Sequence, residues 1–282
     1  MPNTSIILWA LTAALAGFLF GFDTAVISGA EQDVQRVWSM SDALHGLAIS
    51  SALWGTVLGA IFGGIPSDRF GRKPTLIGIG VLYFVSAIGS ALAFDPLSFI
   101  FFRFIGGLGV GASSVAAPAY IAEIAPPAWR GRLVALFQTM IVVGILVAFL
   151  SNLLIEGAGA NDWRWMLGAE CAPALLYLIA VFAIPESPRW LALVKGDVAA
   201  ARAILEKGDP AGAEAALAAL GHRDEKPMSL AQFYSSGLSK PILLAFLIAV
   251  FNQLSGINAI IYYAPRIFAL TGAEESATLL AT

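Results

Sequence analysis

The chain has 282 residues, of which 58% are hydrophobic and 12% are charged, with a net charge of −3. Ordinary soluble domains carry about 25% charged residues, so this composition excludes a water-soluble globule and fits a multi-spanning helical membrane protein. Cys171 is the single cysteine, which excludes an intrachain disulfide, and the small net charge gives no reason to expect a nucleic-acid partner.

A helix crossing a bilayer needs about 20 apolar residues, because lipid offers no partner to an unpaired amide. Apolar stretches fall at 6–30, 47–66, 76–94, 97–122, 133–155, 165–184 and 242–264, and an eighth begins at 276–282. The first has no Lys or Arg ahead of it and no cleavage pattern behind it, so it reads as a retained helix and not a signal peptide. Gly55, Gly59 and Gly63 recur every fourth position on the second span, and Gly107 and Gly111 do so on the fourth. Such stripes let helix backbones approach closely and predict a tight bundle. The polar segment 186–240 predicts short surface helices at 197–207 and 211–220, broken at Gly208-Asp209-Pro210.

The cations assign the two faces. Twelve lie in the loops after spans two, four and six, against three (Arg36, Arg164 and Arg266) on the other face. The positive-inside rule then predicts a cytoplasmic N-terminus and an outside end after span seven.

An ionisable group inside a span is costly and marks a functional candidate. Asp23, Arg103 and Glu170 are such groups. Counting along spans one, four and six puts all three at similar depth, roughly 9 Å below the outer surface at 1.5 Å per residue. Arg103 needs a counter-charge, and Asp23 supplies one, either as a static pair or as a carboxylate that changes partner and so carries a proton. Glu170 reads as a further proton group or as a residue bonding a helix end. The amides Gln138, Asn252, Gln253 and Asn258 both donate and accept, which suits sugar hydroxyls. They serve equally as glue between helices.

Several segments resemble a known family. The run Gly63-Gly64-Ile65-Pro66-Ser67-Asp68-Arg69-Phe70-Gly71-Arg72-Lys73-Pro74 resembles the loop between spans two and three of the major facilitator superfamily. Four more resemble the sugar porter family within it: Gly21-Phe22-Asp23-Thr24-Ala25-Val26-Ile27-Ser28-Gly29, Pro118-Ala119-Tyr120-Ile121-Ala122-Glu123 with Arg130-Gly131, Pro185-Glu186-Ser187-Pro188-Arg189-Trp190-Leu191, and Gln253-Leu254-Ser255-Gly256-Ile257-Asn258 through Tyr262-Tyr263-Ala264-Pro265. The chain is thereby identified as similar to bacterial sugar–proton symporters, the xylose–proton symporters among them. Glucose facilitators that work without protons have Asn at the position of Asp23.

The resemblance implies an all-α membrane fold in three parts: a six-helix bundle over 1–184, cytoplasmic linker helices over 185–240, and the start of a second membrane domain over 241–282. It implies proton coupling by Asp23, Arg103 and Glu170, and a sugar site lined by Phe20, Gln138, Asn252, Gln253 and Asn258. It implies a cytoplasmic gate made of Asp68, Arg69, Arg72, Glu123, Arg130, Glu186 and Arg189. The ligands implied are a monosaccharide, pentose or hexose, and a proton as the coupling ion, in the cell membrane. Two departures argue against carrying over one particular sugar: Asn252 precedes Gln253 where the family often has Gln, and Ile145 stands two turns after Gln138 where some members have a second Gln. A uniporter or a non-transporting sugar sensor is the alternative. No metal spacing, phosphate loop or nucleophile elbow points to an enzyme or a metal, and His45 and His222 are expected in loop and linker, His45 as a surface residue. The chain is expected to be the N-terminal part of a twelve-span porter and not to transport by itself.

Overall fold

The computed structural model describes residues 3–208, 210, 212–221 and 239–270. Asp209 and Ala211 at the linker break, His222, Arg223, Lys226 and the expected start of an eighth span at 276–282 lie outside the described residues. The regular structure of the described residues is helical, and seven stretches are long and apolar enough to cross a membrane.

Helix α1 (Thr4–Val37) opens on Asn3, whose side chain accepts from the Ser5 N–H. At 34 residues it exceeds what the hydrocarbon core requires, so its last two turns, with Glu31, Asp33 and Arg36, extend past the apolar run. Helix α2 (Asp42–Phe62) begins behind Ser41, which caps the Leu44 N–H, and continues through Gly63 into the short α3 (Gly64–Phe70). Gly71 (φ +106°) turns the chain into α4 (Arg72–Ala91). Asp95 and Ser98 form a reciprocal cap at the start of α5 (Pro96–Ile124). Then follow α6 (Arg130–Ile155), and α7 (Asp162–Ala169) with α8 (Cys171–Ala183), which make span six in two pieces that meet at Glu170. The turn α9 (Pro188–Trp190) leads to the surface helices α10 (Val198–Gly208) and α11 (Ala213–Gly221), close to the linker helices read from the sequence. Span seven was read as one run; it is α12 (Ser239–Leu254), α13 (Ile257–Tyr262) and α14 (Ala264–Ala269). Its first break falls at Gly256, whose φ of +73° is left-handed and ends the helix.

Two close helix pairs build the bundle. The predicted stripes on α2 and α5 face each other: a Cβ on Gly107 would lie 2.0 Å from the Ala52 carbonyl oxygen, on Gly111 2.1 Å from that of Thr56, and on Gly59 2.3 Å from that of Leu108. A second pair, α1 against α6, rests on Gly17, Gly21 and Gly144; a Cβ on Gly21 would lie 1.9 Å from the Ile141 carbonyl oxygen and one on Gly144 2.1 Å from that of Phe18. One apolar cluster, around Ala13, Leu19, Ile79, Tyr120 and Tyr177, fills one half of the bundle. The other, around Phe22, Ile27, Ile49, Phe99 and Trp163, also takes in Tyr262 of span seven.

His45 corrects its sequence reading. It lies inside α2, 3% exposed, because α2 starts five residues before the apolar run at 47.

Helical Gly→Ala normally stabilises by roughly 0.5–1 kcal/mol. At Gly78, where nothing lies within 4 Å of the added Cβ, that sign should hold. Gly107→Ala should instead cost about 1–3 kcal/mol through overpacking against Ala52. Thermal unfolding of the detergent-purified chain should show the two variants shifting in opposite directions.

Candidate functional site

Three buried ionisable groups lie together in the bundle. Asp23 on α1 is 2% exposed and Arg103 on α5 is 1% exposed. Arg103 Nη1 donates to Asp23 Oδ1 at 2.5 Å and Nη2 to the Asp23 carbonyl oxygen at 3.2 Å. Glu170, at the junction of α7 and α8, is equally buried and lies within electrostatic reach of both. Its Oε1 and Arg103 Nε have no hydrogen-bond partner among the described residues. Thus a formally neutral pair sits beside a second carboxyl group, with unused donor and acceptor capacity between them. Gly106 leaves room for Ser86 beside the pair: a Cβ there would lie 2.4 Å from Ser86 Oγ. The pairing of Asp23 with Arg103 is the one expected from the sequence, and Ser86 and Tyr262 join them. Tyr262 is 4% exposed and brings span seven within electrostatic reach of Arg103 and Asp23. Its signal was a polar atom in the apolar run of span seven.

The amide set is differently placed. Phe20 is half-buried on α1, Gln138 is exposed on α6, and Asn252 and Gln253 are exposed at the end of α12. Across the Gly256 break, Asn258 Nδ2 donates to Gln253 Oε1 at 3.0 Å, so two of the amides form one unit. The Ser255 hydroxyl donates to the Asn252 carbonyl oxygen at 2.6 Å and stabilises the same break. Gln138 and Asn252 are exposed, while Gln253, also exposed, shares its carbonyl oxygen with Asn258.

The charged motif residues meet at one end of the bundle. Arg72 holds Glu123 with two parallel bonds of 3.0 Å, from Nε and Nη2, and its Nη1 donates to the Ser67 carbonyl oxygen at 2.8 Å. Asp68 lies 2.9 Å from the same Nη1, one turn back. Glu186 accepts from the N–H of Arg72 at 2.8 Å and of Lys73 at 3.1 Å, capping the positive end of α4. A Cβ on Gly71 would lie 2.3 Å from Glu186 Oε2, so this turn needs glycine for space as well as for its φ. Ser187, which sequence reading passed over, donates to Glu123 at 2.5 Å and caps Trp190; Ser before Pro188 was its start signal. Arg189 stands 4.0 Å from Glu123. Arg69 is exposed and lies over the Phe70 ring, outside the bonded cluster. Arg130 lines a cavity of about 560 Å³ beside Glu123 and Arg189, under α10 and α11.

Arg72→Ala should cost about 1.5–3 kcal/mol, because it strips a nearly buried carboxylate of two charge-assisted bonds. Arg69→Ala should change stability by less than about 0.5 kcal/mol. Thermal midpoints in detergent test the contrast.

The family model for sugar (and other) transporters matches residues 9–282. The chain is 38% identical over 285 residues to an arabinose-proton symporter of Bacillus subtilis, 44% over 285 residues to a glucose transport protein of Synechocystis, and 36% over 306 residues to a D-xylose-proton symporter of Escherichia coli. These alignments cover 98%, 96% and 96% of the chain but 61%, 61% and 62% of the relatives, so the chain spans about three fifths of their length. The xylose transporter of Escherichia coli in a partially occluded inward-open conformation superposes with a TM-score of 0.85 at 34% identity, over 99% of this chain and 67% of that one. The proton:xylose symporter bound to 6-bromo-6-deoxy-D-glucose gives 0.82 at 34%, over 98% and 65%. With the motif order, the bundle and a match over nearly its whole length in agreement, the chain belongs to the sugar (and other) transporter family and has the fold of the major facilitator superfamily.

Proposed function

We propose that the whole protein moves a monosaccharide, a pentose or a hexose, together with a proton, by alternating access between two helical halves. The observation that carries this reading is the buried Asp23–Arg103 pair at 2.5 Å with the Glu170 carboxyl beside it. Such a pair is neutral while it holds. A proton on Asp23 removes the attraction and leaves Arg103 to turn to Glu170, so proton uptake and loss of the ionic tie between α1 and α5 become one event. Two of the relatives are named as proton symporters, which supports the same reading.

The sugar binds to Phe20, Gln138, Asn252, Gln253 and Asn258, of which Gln138, Asn252 and Gln253 are exposed. The half-buried Phe20 ring offers an apolar face, and the Gln253–Asn258 bond spans the break between α12 and α13. The Arg72 end of the bundle is cytoplasmic, following the excess of Lys and Arg in its loops. There the bonds among Arg72, Glu123, Asp68, Glu186 and Arg189 hold the inner end in one geometry, with Arg69 and Arg130 at its edge.

Asp23→Asn should abolish uphill sugar accumulation driven by an inward proton gradient, so that internal sugar only equilibrates with the medium, while sugar exchange persists. Uptake and counterflow in proteoliposomes of the whole protein measure both. Accumulation that survives the substitution would refute the coupling role.

A further inference from the structure

At the opposite end of the bundle from Arg72, a second set of ionisable groups is buried. Glu31, near the end of α1, has no exposed surface, and His45 on α2 is 3% exposed. His45 Nε2 stands 3.2 Å from Glu31 Oε2 and 3.1 Å from the Glu31 carbonyl oxygen. On the other side, Arg266 of α14 places its Nε 3.6 Å from Glu31 Oε1. Neither carboxylate oxygen receives a well-aligned hydrogen bond among the described residues. Arg266 Nη2 also donates to Gln35 Oε1 at 3.0 Å, and Gln35 Nε2 donates to Asp42 Oδ1 at 3.0 Å. The Tyr263 ring stands edge-on to His45, with centroids 6.1 Å apart. The remaining charges nearby, Asp33 and Arg36, are paired with each other on α1. The cluster therefore ties α1 and α2 to the end of span seven, which is otherwise anchored through the buried Tyr262.

The chemistry of the three groups is linked. His45 Nε2 lies between two oxygens, so it carries the hydrogen and leaves Nδ1 as the proton acceptor. Glu31 has no surface open to solvent, and its negative charge is matched by Arg266, which is 45% exposed. If Arg266 leaves, a charged carboxylate remains in an apolar setting unless it takes up a proton. Conversely, a proton on Glu31 removes the attraction for Arg266. A second proton on His45 supplies Glu31 with a cation of its own and has the same result.

We propose that Glu31 and His45 form a second proton-binding site, whose protonation releases Arg266 and frees span seven from α1 and α2. The proposal rests on the transport reading for its purpose: acid on the sugar-supplying side would open that side. The tie itself can be tested without sugar or gradient. The full chain, with Cys171→Ala, is spin-labelled at Val37→Cys and Leu270→Cys, two exposed positions flanking the cluster. The distance distribution is measured at about pH 8 and about pH 5, on either side of an ordinary His. The expected result is a longer-distance population at the lower pH that is absent at the higher. Glu31→Gln and Arg266→Ala should each show that population at both pH values. Identical distributions at both pH values, or an Arg266→Ala distribution like that of the parent, would overturn the proposal. Arg266 is on the rim, so that variant keeps the test valid if Glu31→Gln does not fold. In the whole protein, proton-driven uptake by Glu31→Gln with the parent's pH profile would overturn the site and leave the transport reading standing. A parent that takes up no sugar would overturn the transport reading and leave the distance result intact.

Discussion

The Asp23–Arg103 pair sets the constraint that the rest of the bundle satisfies. A guanidinium 1% exposed among apolar helices is tolerable only if a carboxylate meets it at bonding distance. That distance requires α1 and α5 to hold their depth and rotation closely. The glycines do this work. Gly17 and Gly21 seat α1 on α6, Gly107 and Gly111 seat α5 on α2, and Gly106 keeps the space beside the pair open for Ser86. In lipid, where helices gain little by hiding apolar surface from one another, backbone contact of this kind is a principal source of cohesion. Packing and charge pairing therefore depend on each other: the glycine contacts position the pair, and the pair makes any other register costly.

The two ends of the bundle use charge differently. At the Arg72 end, the carboxylates of Glu123 and Glu186 have their hydrogen bonds satisfied by a guanidinium, a hydroxyl and the first amides of α4. Every group there belongs to the first six spans or the turn after them, so this cluster fixes one rigid surface. At the Glu31 end the carboxylate is poorly hydrogen-bonded, and its cation comes from span seven. A well-bonded cluster resists change, and a poorly bonded one yields to a single proton.

Much of this was legible in the sequence, and the gaps have physical causes. The glycine stripes on the second and fourth spans predicted the α2–α5 contact because both partners carry the repeat. The α1–α6 contact was missed because α6 has only Gly144 and, thirteen residues away in its first turn, Gly131, so the four-residue spacing of Gly17 and Gly21 had no matching repeat. Asp23 and Arg103 were found as a pair because depth can be counted along a helix. Glu31 and His45 were not, because hydropathy marks where lipid contact ends, not where a helix ends. Both residues lie in helix that extends beyond the apolar run, where burial comes from neighbouring helices. Span seven was read as one helix because a lone glycine in an apolar run carries no sign of its φ; the left-handed Gly256 appears only in the fold.

That break changes how the site residues relate. An unbroken helix would carry Gln253, Asn258, Tyr262 and Arg266 as one rigid rod, and any tilt would move all four together. With Gly256 left-handed and a second interruption at Tyr263, α12 does not form one continuous helix with α13 and α14. The Gln253–Asn258 bond then bridges a hinge. On the proposed reading, a sugar that takes over either amide would compete with that bond. The same α13–α14 segment carries Tyr262 near Asp23 and Arg266 near Glu31. On the proposed reading, a sugar at the break and a proton at either carboxylate would act on one short lever. Neither needs to strain the glycine-packed core of the bundle, which can stay rigid while the lever moves.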